Sequence, residues 1–176
     1  MRILFLSNEF FNIYNFRLSL LKRIEKEFTN PEILIVAKYD GYEKKININN
    51  NQNFNLDIDS RSMSLINNVK ALFQLNKIIR NGDLDILISY TFKCNFFACL
   101  LNIFYGKKLI INITGLGEMF LSNNPLKKIF FYFYCILLQK SDRIICQNIY
   151  DKNLLLSKNI KLKKKLFLIP GSGINL

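Results

Sequence analysis

The 176-residue chain contains no histidine and no tryptophan, and it has only 7 glycines, 3 prolines and 4 cysteines. Without histidine, a Ser-His triad, a histidine general base and a histidine-ligated metal are all excluded. Neither a GxGxxG nor a GxxxxGK[ST] pattern occurs, so the two common glycine-rich phosphate-binding motifs are missing as well. These absences point away from the most familiar catalytic and nucleotide-binding machinery.

No apolar stretch is long enough to cross a bilayer, because the longest, IFFYFYCILL at 129–138, covers ten residues where about 20 are needed. The N-terminus, MRILFLSNEF, lacks the apolar region and the cleavage site of a signal peptide. The cysteines form no CxxC pair and lie among apolar neighbours, at Cys94, Cys99, Cys135 and Cys146. We interpret them as buried, reduced thiols of an intracellular protein, whose membrane contact would be peripheral.

What the chain does have is apolar content and positive charge. Half of its residues are hydrophobic, which excludes a disordered charged tail, and 176 residues suit a single domain. The net charge of +12 is unevenly distributed, because residues 1–88 hold 12 basic and 10 acidic side chains while residues 89–176 hold 13 and 3. This asymmetry predicts a surface that meets anions, such as nucleic acid, lipid headgroups or a phosphate-bearing substrate.

Short apolar runs alternate with segments of helical periodicity along the chain. Strands are predicted at residues 2–7, 33–37, 54–58, 85–90, 108–113, 143–147 and 166–169. Helices are predicted from residue 14 to about 29 and at 64–80, 92–105, 125–140 and 148–159, with a loop at 8–12. The alternation is typical of an α/β fold, and we expect a Rossmann-like parallel sheet of about seven strands with helices on both faces.

Ligands of such sheets bind beyond the carboxyl ends of the strands, so the loops there form the candidate site. After the first predicted strand come Asn8, Asn12 and Arg17. Two amides and a guanidinium near a helix N-terminus suit a hydroxyl-rich or phosphorylated ligand. The alternative is that these side chains only cap the first helix.

After the fifth predicted strand, the segment TGLGE offers a tight turn. Gly115 and Gly117 allow a close approach of the backbone, either to a ligand or simply within a left-handed turn. Glu118 is the only carboxylate between Asp85 and Asp142. It could act as a base or bind sugar hydroxyls, and a solvated turn residue is the plainer alternative.

Residues 124–140, NPLKKIFFYFYCILLQK, combine lysines with a dense aromatic run. On a helical wheel the apolar positions cover more than one face, which is more than a single core contact needs. Either the helix is deeply packed, or it lies at a membrane interface with lysines and aromatic rings against acidic lipid. On the second interpretation the contact residues would be Lys127, Lys128, Phe131 and Tyr134.

Four segments, in order, resemble the N-terminal domain of the family 4 glycosyltransferases, which have the GT-B fold. They are RILFLSNEFFNIYNFRLSLL, DILISYTFKCN, INITGLGEMF, and DRIICQN followed by LFLIPGSGIN. The subgroup that the chain is most similar to transfers a hexose or N-acetylhexosamine to a polyprenyl-diphosphate-linked sugar, for bacterial surface glycans or glycoproteins. The resemblance implies a retaining transferase in which the N-terminal domain holds the acceptor and a C-terminal domain holds the nucleotide sugar.

The resemblance also implies roles for single residues. The acceptor-binding set would be Asn8, Asn12, Arg17, Thr114, Gly115 and Gly117, and the donor-facing set Asn148, Gly171, Ser172 and Gly173. Several family members place a histidine near the end of the fifth strand, where this chain has Thr114, so the catalytic residue stays unknown, with Glu118 as a candidate. No metal and no cofactor are implied beyond the donor substrate, which is expected to be a UDP-sugar.

On this interpretation, residues 1–176 form the acceptor-side domain, and the donor-binding domain is absent from the sequence, which would leave the chain inactive alone. The implied partners are a polyprenyl-diphosphate-linked or glycan acceptor, an anionic membrane surface and a separate donor-domain chain, at the cytoplasmic face of the plasma membrane. The alternative is a non-catalytic basic α/β module that binds nucleic acid or docks on a partner transferase. The sequence contains no recognised nucleic-acid motif, which disfavours nucleic acid.

Overall fold

The computed structural model describes residues 1–58, 64–116, 125–169 and 171. The described residues form seven β-strands, β1 to β7, which span Arg2–Glu9, Glu32–Lys38, Asn51–Asn55, Ile86–Tyr90, Lys108–Ile113, Arg143–Cys146 and Leu166–Leu168. They also form five α-helices, α1 to α5, which span Phe10–Glu27, Leu65–Asn81, Phe92–Tyr105, Pro125–Leu137 and Ile149–Lys158. The strands make one sheet in the order β3-β2-β1-β4-β5-β6-β7. The predicted α/β fold with a seven-stranded parallel sheet is therefore confirmed.

The chain divides into two compact units, residues 1–88 and residues 89–171. In the first unit β1 pairs in parallel with β2, and β2 pairs in parallel with β3. Residues 33–37 of β2 are all buried, so both faces of this strand are covered. Burial on both faces explains why its sequence is a continuous apolar run without polar alternation.

The helices of the first unit each bury one stripe of side chains. On α1 the buried side chains recur every three or four residues, at Phe10, Ile13, Arg17, Leu21 and Ile24. Helix α2 begins after the predicted cap residue Ser64, whose hydroxyl accepts a hydrogen bond from the N–H of Asn67 at 3.4 Å.

Strand β1 continues into α1 without an intervening loop. The strand ends at Glu9 and the helix begins at Phe10, so the predicted loop at residues 8–12 is wrong. Glu9 provides no side-chain cap, and the cap comes from elsewhere: the carboxylate of Asp40 accepts a hydrogen bond from Phe11 N at 2.8 Å. Asn12 therefore lies on a helix rather than on a loop.

Strand β3 lies three residues earlier than predicted. It uses residues 51–55, of which all but Phe54 are polar, and their backbone pairs with residues 33–37 of β2. An edge strand needs only backbone partners on one side, so polar side chains are tolerated there. The apolar residues Leu56 and Ile58, which suggested a strand, are buried after the strand has ended.

In the second unit β5 pairs with β6, and β6 with β7, in both cases in parallel. Helix α3 ends as predicted at Gly106, which has a left-handed backbone with φ of 56°. The side chain of Asn102 fixes this end, because it accepts from the N–H of Lys107 at 2.8 Å and donates to its carbonyl at 2.9 Å. Helix α4 is followed by a single 3₁₀ turn, Leu138–Lys140.

Candidate functional site

In the first unit, the predicted site residues Asn8 and Asn12 are brought together. Asn12 Nδ2 donates to Asn8 Oδ1 at 2.9 Å, and the hydroxyl of Ser7 donates to the same oxygen at 3.4 Å. Asn8 is buried near the end of β1, whereas Asn12 is half-buried in the first turn of α1. The pair forms a fixed set of amide groups at the carboxyl end of β1, which is where ligands of parallel sheets bind.

Arg17 lies about one and a half turns beyond Asn12 on α1. It is buried, with 7% of its surface exposed, and its Nη1 donates to the carbonyl of Phe16 at 3.2 Å. The side chain thus belongs to the buried stripe of the helix. Its assignment to acceptor binding stays a prediction.

In the second unit, three amide side chains are connected at the carboxyl ends of the strands. Asn95 Nδ2, on α3, donates to the backbone carbonyl of Asn112 at 2.9 Å. Gln147 Nε2 donates to Asn112 Oδ1 at 3.3 Å, and the N–H of Gly171 donates to the Gln147 carbonyl at 3.4 Å. We call Asn95, Asn112 and Gln147 the amide cluster. Asn95 and Asn112 were not predicted as site residues from the sequence. Each is a polar residue within an apolar helix or strand, which could have indicated a functional position.

Thr114 and Gly115 directly follow β5 and are exposed, as a ligand contact requires. A Cβ added at Gly115 would meet no atom within 4 Å, but the φ of 157° is one that residues with a Cβ rarely adopt, so the backbone rather than the available space favours glycine there. Gly171 is also exposed, with a φ of 72°. The other predicted residues of these two turns lie outside the described residues: Gly117, Glu118, Ser172 and Gly173.

The junction between β4 and α3 contains unpaired polar groups and a strained backbone. Within the described residues, three buried polar atoms of this junction make no hydrogen bond of ordinary geometry: Ser89 Oγ, Thr91 Oγ1 and Asn95 Oδ1. The same is true of Tyr134 OH on α4. Thr91 has φ of 67° and ψ of 151°, a conformation that costs a residue with a Cβ about 1–3 kcal/mol. Such features are unusual in a core and tend to cluster at functional positions, so this junction belongs to the candidate site.

Asn148 caps the N-terminus of helix α5. Its Oδ1 accepts from the N–H of Asp151 at 2.7 Å, and its Nδ2 donates to the Asp151 carboxylate at 2.7 Å. Asp151 is buried, with 4% exposed. Capping is a sufficient reason for an asparagine at position 148, without any contact to a ligand. The donor-facing role of Asn148 stays a prediction.

Helix α4 exposes one apolar stripe and buries another. Phe131 and Tyr134 are 4% and 0% exposed, so the prediction that these two side chains contact a membrane is wrong. They pack inside the second unit, where the Tyr134 ring lies 4.5 Å from that of Phe92. Lys128 is exposed and Lys127 half-buried. The exposed apolar side chains of this helix are Ile129, Phe130, Tyr132, Phe133 and Ile136.

All four cysteines are buried and unpaired, as predicted. Burial raises the pKa of each thiol from 9.0 to about 12, so the nucleophilic thiolate does not form at neutral pH. Over residues 1–58, 64–116 and 125–169, no group of three or more acidic or cysteine side chains could hold a metal ion. In the same part of the chain, no helix is long and apolar enough to cross a membrane.

Solved structures match the fold over nearly the whole chain. The UDP-GlcNAc 2-epimerase of Neisseria meningitidis, bound to UDP-GlcNAc, aligns with a TM-score of 0.67 and 16% identity, covering 96% of this chain and 46% of the epimerase. MurG of Acinetobacter baumannii aligns with a TM-score of 0.61 and 11% identity, covering 99% and 46%. The lipopolysaccharide outer core galactosyltransferase WaaB aligns with a TM-score of 0.60 and 12% identity, covering 95% and 44%. The chain thus has the fold of one half of a GT-B protein.

A curated relative of the chain is a glycosyltransferase. The chain is 26% identical, over 183 aligned residues, to the N,N'-diacetylbacillosaminyl-diphospho-undecaprenol alpha-1,3-N-acetylgalactosaminyltransferase of Campylobacter jejuni. The match covers 100% of this chain and 47% of that enzyme, so the chain spans about half the length of its relative. No family model matches the sequence. The chain is glycosyltransferase-like, and the resemblance seen in its four motif segments is confirmed.

Proposed function

We propose that the chain is the acceptor-binding half of a retaining glycosyltransferase. The complete enzyme would transfer a hexose or N-acetylhexosamine from a UDP-sugar to a polyprenyl-diphosphate-linked sugar. The observation that carries this proposal is the match along the whole chain to a transferase whose name specifies a diphospho-undecaprenol acceptor. The donor would be held by a domain outside these 176 residues, in the same or a separate polypeptide, and no metal is invoked.

The amide groups of each unit suit the positioning of an acceptor. Hydrogen-bond donors and acceptors lie side by side in the pair of Asn8 and Asn12 in the first unit, and also in the amide cluster of the second unit. Neighbouring sugar hydroxyls require this combination. Amides do not titrate near neutral pH, so they would orient an acceptor hydroxyl rather than deprotonate it. Thr114 and Gly115 would contribute exposed backbone and a hydroxyl, and Glu118 is the candidate base.

A lipid-linked acceptor brings its enzyme to a bilayer surface. On α4 the exposed side chains Ile129, Tyr132 and Ile136 recur at intervals of three and four residues, and therefore share one face with Phe133. Exposed Lys128 adds positive charge, and the helix contains no acidic residue. An apolar face edged by lysine suits the interface of an anionic bilayer. We therefore assign α4 to a peripheral contact with the inner face of the plasma membrane.

The proposal is tested by acceptor binding to the 176-residue chain. Nanodiscs would carry undecaprenyl-diphosphate-linked N-acetylhexosamine, with undecaprenyl phosphate and plain lipid as references, and binding would be followed by biolayer interferometry. We expect Asn12→Ala to weaken binding of the sugar-bearing lipid about tenfold, which corresponds to a lost hydrogen bond to a polar ligand of about 1.4 kcal/mol. Asn15→Ala is the matched control, because Asn15 lies on the same helix and is exposed, and among the described residues its side chain bonds only the carbonyl of Phe11.

Two results would contradict the proposal. The first is equal binding of the wild-type chain to sugar-bearing and sugar-free nanodiscs, because an acceptor site must recognise the sugar. The second is clear calorimetric binding of a UDP-sugar by this chain, because that would make it the donor half.

A further inference from the structure

Three aromatic side chains of the first unit form a cluster beside a lysine. The Tyr42 ring lies 5.2 Å from that of Phe11 and 5.3 Å from that of Tyr14, measured between centroids. Lys45 Nζ lies 4.2 Å from the centre of the Tyr42 ring and 6.0 Å from that of Tyr14. Both distances are within the range of a cation–π contact. We call Phe11, Tyr14, Tyr42 and Lys45 the Tyr42 cluster.

The Tyr42 cluster stands on a turn that is held by its own carboxylates. Asp40 accepts from Phe11 N at 2.8 Å and from Tyr42 N at 3.1 Å, which ties the turn to the start of α1. Glu43 accepts from the N–H of Gly41 at 2.8 Å, and Asn53 Nδ2, on β3, donates to the Glu43 carbonyl at 3.1 Å. The burial of its carboxylate acts to raise the pKa of Glu43, but hydrogen bonds from the backbone N–H groups of Glu43, Gly41 and Asp40, together with the charge of Lys44, outweigh it, so the pKa is lowered.

The ligand-binding capacity of the Tyr42 cluster is unused within the described residues. Neither the Tyr14 nor the Tyr42 hydroxyl makes a hydrogen bond there, and Lys45 makes no salt bridge. Lys45 is exposed, Phe11 is 41% exposed, and the two tyrosines are half-buried. A cation–π contact holds one side of an ammonium group and leaves its donors free on the other.

The position of the Tyr42 cluster matches that of a ligand site. Phe11 and Tyr14 lie in the first turns of α1, directly after β1, and the turn with Tyr42 and Lys45 follows β2. Strands β1 and β2 are paired in parallel, so both segments lie at the carboxyl edge of the sheet. The amide pair of Asn8 and Asn12 is at the same strand end.

Three chemical groups are offered together: flat aromatic faces, phenolic hydroxyls and a primary ammonium. The electron-rich ring faces attract the weakly positive C–H bonds on one side of a pyranose ring. The phenols can bond sugar hydroxyls, and a lysine ammonium binds phosphate as a point charge. A sugar phosphate satisfies all three, whereas a free anion uses only the lysine and a neutral sugar uses only the rings.

We propose that the Tyr42 cluster is the subsite for the sugar-phosphate head of the lipid-linked acceptor, with Tyr42 against the sugar ring and Lys45 on the phosphate. This inference rests on the proposed function for the identity of the natural ligand. Phe11 and Tyr14 support the Tyr42 ring.

The test uses N-acetylglucosamine 1-phosphate as the probe, with N-acetylglucosamine and inorganic phosphate as separate arms. Binding to the full chain would be measured by saturation-transfer NMR and by shifts of the tyrosine ring signals. We expect Lys45→Gln to weaken the sugar phosphate about tenfold and to leave the neutral sugar unchanged. Lys44→Gln is the matched control, because Lys44 is an exposed neighbour of the same charge. Tyr42→Leu should weaken both sugars, and Tyr42→Phe should retain most of the stacking.

Equal effects of Lys45→Gln and Lys44→Gln would overturn the subsite, as would inorganic phosphate binding as tightly as the sugar phosphate. The same variants in the nanodisc assay separate the two proposals. If wild-type and Lys45→Gln chains bind the lipid-linked sugar equally well, the subsite is wrong and the proposed function stands. If the probe binds in a Lys45-dependent manner but the lipid-linked sugar does not bind, the proposed function is wrong and a sugar-phosphate site remains.

Discussion

Replacing Tyr134 by phenylalanine should stabilise the protein. Tyr134 is 0% exposed, and its hydroxyl has no hydrogen-bond partner within the described residues. Burial raises the pKa of this phenol well above 10.0, with the nearby thiol of Cys99 adding to the rise and the Asn95 side chain partly offsetting it. The hydroxyl therefore remains neutral. Asn95 is near enough to lower its pKa, but no hydrogen bond of ordinary geometry joins the two groups, so the hydroxyl is at best weakly satisfied.

The size of the effect follows from what the substitution removes and what it keeps. An unsatisfied buried hydroxyl costs about 1–3 kcal/mol, and Tyr134→Phe removes that cost. The ring contacts remain, at 4.5 Å from Phe92 and 6.3 Å from Phe131 between centroids. We expect the free energy of unfolding to rise by about 1 kcal/mol and Tm by about 2–4 °C.

The assay is urea unfolding followed by circular dichroism, with an unchanged m-value as the sign that only stability has changed. Tyr132→Phe is the control, because Tyr132 lies on the same helix and is 58% exposed, so its free energy of unfolding should stay within about 0.5 kcal/mol. A loss of 1 kcal/mol or more in Tyr134→Phe would refute the reasoning, because the hydroxyl would then have a partner, such as an internal water.

Three further predictions concern pH, capping and membrane contact. The pKa of each of the four buried thiols is about 12 in the folded protein and 9.0 in the unfolded chain. The stability that the protonated thiols give is therefore complete below pH 9 and is lost between pH 9 and 12. Alkaline unfolding, with simultaneous reaction of all four thiols with a disulfide reagent, would check this. Asn148→Ala should cost about 1–2 kcal/mol in urea unfolding, because it removes the cap of α5 and a partner of buried Asp151, whereas Asn148→Ser should retain most of the stability. Replacing Lys127 and Lys128 by glutamine should weaken binding to anionic liposomes about 30-fold in a sedimentation assay, at about 1 kcal/mol per lysine. An equal loss on replacing two lysines of the 3₁₀ turn Ile160–Lys164 would show that only net charge matters.

The alternation of apolar runs and helical segments was enough to predict the sheet. Strand β5 and helix α3 have the predicted bounds, because buried parallel strands and glycine-terminated helices leave a strong local pattern. Strand β3 was misplaced because all of its residues except Phe54 are polar, and because its formation depends on the backbone of β2. No local pattern contains that information.

The helix at 125–137 illustrates a second limit. Its apolar side chains form two stripes, one with Phe131 and Tyr134 and the other with Ile129 and Tyr132. Both stripes have helical spacing and similar apolar content, so the sequence did not indicate which faces the core. The choice is made by packing against α3, where Phe92 meets Tyr134.

The candidate site was predicted only in part. Its location at the strand ends followed from the fold class, and the pairing of Asn8 with Asn12 agrees with it. The Asp40 cap and the cation–π contact of Lys45 join segments about thirty residues apart. Such contacts depend on the register of β1 against β2, which a single sequence does not reveal.

The direct passage of β1 into α1 has a consequence for binding affinity. Asn8 lies on the strand and Asn12 on the helix, with no flexible residues between the two elements. Ordering a mobile loop costs about 1–2 kcal/mol of backbone entropy for each residue that becomes fixed. Here that cost has already been met during folding, so a ligand at this edge loses little of its interaction energy to ordering the protein. If the proposed acceptor binds here, the same rigidity should limit its range, because a junction without a loop cannot reshape itself around a sugar of different stereochemistry.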